Sequence, residues 1–137
     1  MTAQRGHASW VGRVGRVEAT VEHSDTAISL GSGTVPVLGT PRLIALMEKA
    51  TCDAIEEVID DESTSVGIQV DVVHRRPTPV GATVIVTATV VSIKDARVTY
   101  DVSADHTLVS GERVEGIGRG TITRAVVDRR AFLSVQP

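Results

Sequence analysis

Two hydrophobic periodicities divide the chain. In residues 41–59, Ile44, Met47, Thr51, Ile55, Val58 and Ile59 recur at the 3.6-residue period of a helix and form one stripe. Arg42, Lys49, Asp53, Glu56 and Glu57 fall on the opposite, solvated side. Leu43, Leu46, Ala50 and Ala54 widen the apolar surface, as in a helix enclosed on more than one side. Glu48 breaks the pattern, projecting into the stripe between Ile55 and Ile59. A carboxylate in an apolar face is costly unless it is paired or neutralised. Thr40-Pro41 reads as the helix start, because Thr is a good N-cap and Pro suits the first helical position. Asp60-Asp61-Glu62-Ser63 closes the helix without a glycine cap.

Elsewhere the period is two. Val17, Ala19 and Val21 alternate with Glu18, Thr20 and Glu22, predicting a half-buried strand. Ser24 to Gly39, punctuated by Gly31, Gly33 and Pro36, reads as a loop. After the helix come strands only. Val66, Ile68, Val70, Val72 and His74 share one face of the first, and Arg76 to Gly81 is a turn. Thr83 to Ile93 is a long strand, Lys94 to Arg97 a hairpin turn, and Val98 to His106 the next strand. Leu108 to Glu112 turns again, and Arg113 to Val127 is the last strand. Gly116, Gly118 and Gly120 share one of its faces, which predicts a close packing partner there, the helix above all.

Short connections make neighbouring strands antiparallel. The order strand, loop, long helix, then strands fits an α+β hotdog fold. In it, a curved antiparallel sheet of about five strands wraps around one long central helix. Residues 1–137 are read as a single domain. One helix leaves part of the sheet without cover, which predicts a homodimer.

Composition narrows the function. A hydrophobic fraction of 42% with a net charge of −3 fits a folded, soluble domain and supplies no basic footprint for nucleic acid. Trp10, Tyr100 and Phe132 are the only aromatics, too few for a base-stacking surface. Cys52 stands alone, which excludes an intrachain disulfide and a four-cysteine zinc site and predicts a small buried hydrophobe. No apolar run approaches the ~18 residues of a membrane span, and residues 1–10 lack the apolar core of a signal peptide. A cytoplasmic protein is expected.

His74 repeats the anomaly of Glu48, since it continues a strand face that should be buried. A carboxylate and an imidazole meeting in an apolar site can orient each other and tune each other's pKa, which is general acid–base equipment. Thr40 is a third candidate, although a helix N-cap explains it equally well. Eight residues of helix span ~12 Å, so Thr40 and Glu48 cannot touch directly within a regular helix. They can share a site only through an irregular helix start, a bridging water or substrate, or a subunit interface.

His7 falls in a terminus expected to fray, and His23 ends a strand. His106 alternates with Tyr100, Val102 and Ala104 and so faces inward, next to a turn. Asp71 lies on the opposite face from His74. No convergent spacing for a metal appears, nor a Gly-x-Ser-x-Gly elbow or phosphate loop. Arg124 reads from spacing as a surface ion-pair residue. Arg75 and Arg76, directly after His74, could attract phosphates at the mouth of a site or simply be solvated.

The segment from Gly39 to Glu48 resembles hotdog thioesterases similar to fluoroacetyl-CoA thioesterase. So do Gly67 to His74 with Pro77-Thr78-Pro79-Val80-Gly81, the block from Gly118 to Val127, and Val11-Gly12. The resemblance covers most of the chain with the spacing between blocks kept. It implies a homodimeric acyl-CoA thioesterase with catalytic Thr40, Glu48 and His74. Gly67 would lie against the acyl or thioester group, and Arg124 would shape or charge-balance the pocket. It implies no metal and no cofactor beyond the coenzyme A carried by the substrate. One departure stands out. The fluoroacetyl-specific enzyme has aromatic residues covering the acyl pocket in the stretch before the helix, whereas Gly31 to Leu38 here has none. A general short-chain acyl-CoA is therefore the expected substrate. A non-catalytic acyl-binding hotdog and an enoyl-CoA hydratase or dehydratase of the same fold are the rival readings.

Overall fold

The computed structural model describes residues 8–134. Its strands are β1 Val14–Thr20, β2 Ser63–His74, β3 Thr83–Lys94, β4 Arg97–Thr107 and β5 Arg113–Asp128. They form one antiparallel sheet in the order β1-β3-β4-β5-β2, so β1 and β2 are the edges. One long helix, Thr40–Ile55, packs into the sheet. This is the hotdog architecture that the element order predicts.

The core is aliphatic. Leu43, Met47 and Ala50 of the helix are completely buried, together with Val84, Val86 and Ala88 of β3, Val98 and Tyr100 of β4, and Ile117 and Ile122 of β5. The buried helix face comprises Leu43, Leu46, Met47, Ala50, Thr51, Ala54 and Ile55. It is rotated from the predicted stripe. Ile44 and Glu48 lie half-buried on its flank, and Val58 lies beyond the helix end and is exposed. Glu48 thus borders the core; it does not penetrate it.

The rotation has a steric cause. A Cβ on Gly15 of β1 would run into the backbone of Ala50 and Ala54, so β1 rests directly on the small-residue side of the helix. The strand prediction missed this contact. β1 begins three residues before Val17, because Gly15 interrupts the alternation. Of the glycines in β5, only Gly118 abuts the helix, where a Cβ would lie 2.9 Å from Leu43 Cδ2. Gly120 instead accommodates the backbone of β2 at Asp71, and Gly116 takes a left-handed φ of 69°.

β2 also departs from a simple alternation. A bulge between Gly67 and Gln69 shifts its register against β5. Before it, Ser65 and Gly67 point toward the helix side; after it, Val70, Val72 and His74 do. Val66 therefore lies on the other face from His74, not on the same one. The segment before the helix is more structured than a loop. Thr26 caps the short helical turn Ala27–Leu30, and the N–H of Leu38 donates to the Thr78 carbonyl at 2.9 Å. Cys52 is exposed, not buried. The histidine at position 7 lies outside the described residues.

Replacing Gly15 by Ala forces β1 away from the helix backbone. Overpacking of this kind costs about 1–3 kcal/mol. Urea unfolding of Gly15→Ala should show a lower midpoint with an unchanged slope; an unchanged midpoint would refute the close contact.

Candidate active site

Thr40 is not an N-cap. The cap position is Gly39, and Thr40 is the first helical residue, with Pro41 behind it. The Thr40 hydroxyl is therefore not spent on the helix. Its Oγ1 lies 2.7 Å from His74 Nδ1. Pro41 has no N–H and the Arg42 N–H donates to the Gly39 carbonyl at 3.0 Å, so of the first three helical residues only Thr40 has an N–H without a backbone acceptor among the described residues, and Gly39 offers no side chain to cap it. The end of the helix thus carries one free donor, the Thr40 N–H, at the positive end of the helix dipole.

His74 ends β2 on the inner face. Its Nε2 is buried and has no hydrogen-bond partner among the described residues. Burial pushes the imidazole below the ordinary histidine range, partly offset by the nearby Arg76 backbone. Burial thus favours the neutral ring, with one nitrogen held by Thr40 and the other unpartnered.

Glu48 does not meet His74 within the chain. Its Oε2 pairs with Arg124 Nη1 at 3.2 Å. Arg124 is buried, contrary to the surface ion pair read from spacing. Its Nε donates to Ser65 Oγ and its Nη2 to the Ser65 carbonyl, both at 2.9 Å. Sequence reasoning missed Ser65; no pattern marks it, because the bulge decides which way it points. Gly67 sits opposite Arg124 in the sheet, and a Cβ there would collide with Glu48 Oε2. Glycine leaves that oxygen its space.

The candidates therefore form two hydrogen-bonded pairs, Thr40 with His74 and Glu48 with Arg124, at positions eight residues apart on the helix. A pocket of about 330 Å³ opens at the Thr40–His74 pair. Val35, Val37 and Leu38 give it an apolar wall, and Arg75 and Arg76 also line it. A larger concavity of about 680 Å³ lies near the C-terminal turn, lined by Glu62, Asp128, Arg129 and Arg130, and contains none of these groups. Among the described residues, no three His, Cys, Asp or Glu side chains converge as a metal site.

His106 forms a second Thr–His pair, with its Nδ1 2.7 Å from Thr78 Oγ1 in a buried position. Burial and the charge of Arg76 lower its pKa, against an opposing pull from Glu112. Thr78 also receives the Leu38 N–H, so this pair ties the segment before the helix to the turn after β2. Asp71 is exposed and faces away from His74.

The fold and the two polar pairs define a hotdog protein with a site along one helix. The sequence profile of the fluoroacetyl-CoA-specific thioesterase family matches residues 21–130, and the chain belongs to that family. A fluoroacetyl-CoA thioesterase of Streptantibioticus cattleyicolor is 34% identical over 96 residues, covering 70% of this chain; the chain spans only 65% of that relative's length. A solved structure of the fluoroacetyl-CoA thioesterase FlK superposes with a TM-score of 0.79 at 30% identity, covering 90% of this chain and 92% of the other. A thioesterase superfamily member from Thermus thermophilus shares the fold, with a TM-score of 0.78 at 20% identity over 90% of this chain and 88% of its own.

His74 and His106 both have folded-state pKa values below the ordinary ~6.5. Below that value the unfolded chain binds more protons than the folded one, so stability is complete above about pH 6.5 and is lost as pH falls. Urea midpoints measured from pH 7.5 down to 5.5 should decrease, and His74→Gln should flatten part of the decline. A midpoint independent of pH in this window would contradict both assignments.

Proposed function

We propose that this protein is a homodimeric acyl-CoA thioesterase that hydrolyses a short-chain acyl-CoA to the free acid and coenzyme A. The observation that carries this reading is His74, held by Thr40 at a pocket and presenting a buried, unpartnered Nε2. Family membership supports the reaction class. The absence of aromatics in the wall formed by residues 31–38 supports a general short-chain acyl group.

In this mechanism Glu48, oriented through one oxygen by Arg124, takes a proton from water as the water attacks the thioester carbonyl. The free Thr40 N–H at the helix start stabilises the oxyanion. The C–S bond then breaks, and the proton reaches the departing thiolate through His74, which Thr40 orients. Gly67 leaves room beside Glu48 for the acyl group. The reaction needs no metal and no cofactor other than the coenzyme A of the substrate. The reading also puts the protein in the cytoplasm, where an exposed thiol such as Cys52 stays reduced.

The two pairs lie ~12 Å apart along the helix, so a second copy completes the site. β2 is an unpaired edge carrying exposed Ile68, Val70 and Val73. Gly67, near the middle of β2, neighbours Glu48, and the strand ends at His74. Antiparallel pairing of two β2 strands about a two-fold axis between Val70 and Asp71 sets His74 of one protomer opposite Gly67 of its partner, beside that partner's Glu48. Such an interface is self-complementary, as two-fold symmetry requires.

Free-thiol release from a panel of acyl-CoAs tests the chemistry. Glu48→Gln should lower kcat by roughly 10²–10⁴-fold, the usual contribution of a general base. Full retention of activity would remove Glu48 from the mechanism. Co-refolding equal amounts of Glu48→Gln and His74→Ala tests the shared site. Half the dimers are then mixed and each has one intact site, so about a quarter of wild-type activity should return. No recovery would mean that each protomer works alone.

A further inference from the structure

Arg75 and Arg76 are unexplained by the two polar pairs. Both backbone N–H groups donate to the Ile117 carbonyl, at 2.8 and 3.3 Å, so the main chain is fixed where the side chains leave it. Both residues are exposed and line the pocket that holds Thr40 and His74. Neither has an acidic partner among the described residues. Other arginines do: Arg42 pairs with Asp25 at 3.0 Å and Arg113 with Asp105 at 2.7 Å. The whole chain carries a net charge of −3, so two adjacent unpaired cations at one pocket reverse the prevailing sign locally. A cationic cleft in an acidic protein concentrates anions and steers them to itself.

We infer that Arg75 and Arg76 form the subsite for the phosphates of the coenzyme A nucleotide. The inference rests on the acyl-CoA reading and names the residues that recognise the far end of that substrate. Guanidinium groups suit the task, since their planar forks match phosphate oxygens two at a time. Reach also fits. Arg76 lies roughly 7 Å along an extended chain from His74, and its side chain adds a similar length. The pantetheine arm likewise separates the thioester from the nearest phosphate. The thioester therefore sits at the helix start while the nucleotide stays at the solvent-exposed rim.

Calorimetric binding of coenzyme A, 3′-dephospho-coenzyme A and pantetheine to the wild-type protein and to the double variant Arg75→Gln/Arg76→Gln tests the subsite. Coenzyme A affinity should fall about tenfold or more in the variant, as expected for two charge-assisted contacts. Pantetheine should show no comparable loss. A variant effect that disappears with the dephospho ligand identifies the 3′-phosphate as the partner; one that persists identifies the diphosphate. The preference for acyl-CoA over the matching acyl-pantetheine, as a ratio of kcat/KM, should shrink by a similar factor. Wild-type coenzyme A affinity should also weaken as salt rises from 0.05 to ~0.5 M, because exposed contacts are screened. Coenzyme A affinity within twofold of wild type in a folded double variant overturns the inference while leaving thioester hydrolysis intact. Binding that responds to the variant, without any acyl-CoA turnover by the wild type, removes the hydrolase reading but keeps the subsite. A wild type that neither binds coenzyme A nor turns over its thioesters overturns both.

Discussion

The structure depends on how closely the sheet approaches its helix. At Gly15 there is no room for a single added carbon between β1 and the helix backbone, and at Gly118 the Leu43 and Met47 side chains fill the space. With so few aromatics, the core must gain its density from aliphatic side chains interlocking at short range. That contact fixes the rotation of the helix. The face with Ala50 and Ala54 turns into the sheet, and Glu48 turns out to the flank, where a carboxylate can keep one side near solvent and the other against Arg124.

The same contact explains why a charged pair is tolerated here. The Arg124 side chain is 9% exposed and that of Glu48 is 36% exposed, so the arginine bears most of the desolvation. An arginine removed from water must have its donors occupied. Ser65 supplies two acceptors, its hydroxyl and its carbonyl. It can do so only because of the bulge in β2. Before the bulge, odd-numbered residues face the helix; after it, even-numbered ones do. One strand thereby provides the support for Arg124 at one end and His74 at the other, which a regular strand of this sequence could not do. Bulges often re-aim side chains in this way next to functional sites.

Much of this was legible in the sequence. Periodicity located the long helix and the later strands to within a residue or two at most ends, and the element order was enough for the hotdog topology. Glu48 and His74 stood out as polar residues on apolar patterns, and the structure keeps both at the border of the core. The failures share a cause: they concern backbone features that periodicity does not encode. The bulge moved Val66 to the other face, Gly39 took the cap that Thr40 was expected to provide, and Gly15 hid the start of β1. Arg124 was misjudged from spacing alone because its burial depends on Ser65, fifty-nine residues away in sequence. Helix geometry did correctly warn that Thr40 and Glu48 could not meet directly.

Two Thr–His pairs with the same 2.7 Å hydrogen bond sit in different surroundings. Thr78–His106 joins the turn after β2 to the segment before the helix, and its burial serves that junction. Thr40–His74 has an equally well-held Nδ1, yet its Nε2 is buried with nothing to bond. Leaving a buried polar atom unsatisfied costs about 1–3 kcal/mol. A fold that needed only a tether could remove this cost with an apolar residue at 74. The cost is recovered only when something that can hydrogen-bond Nε2 enters the site. What sets His74 apart is therefore the unpaired nitrogen, not the Thr contact, and that difference is invisible in a sequence where both histidines simply end an inward-facing run.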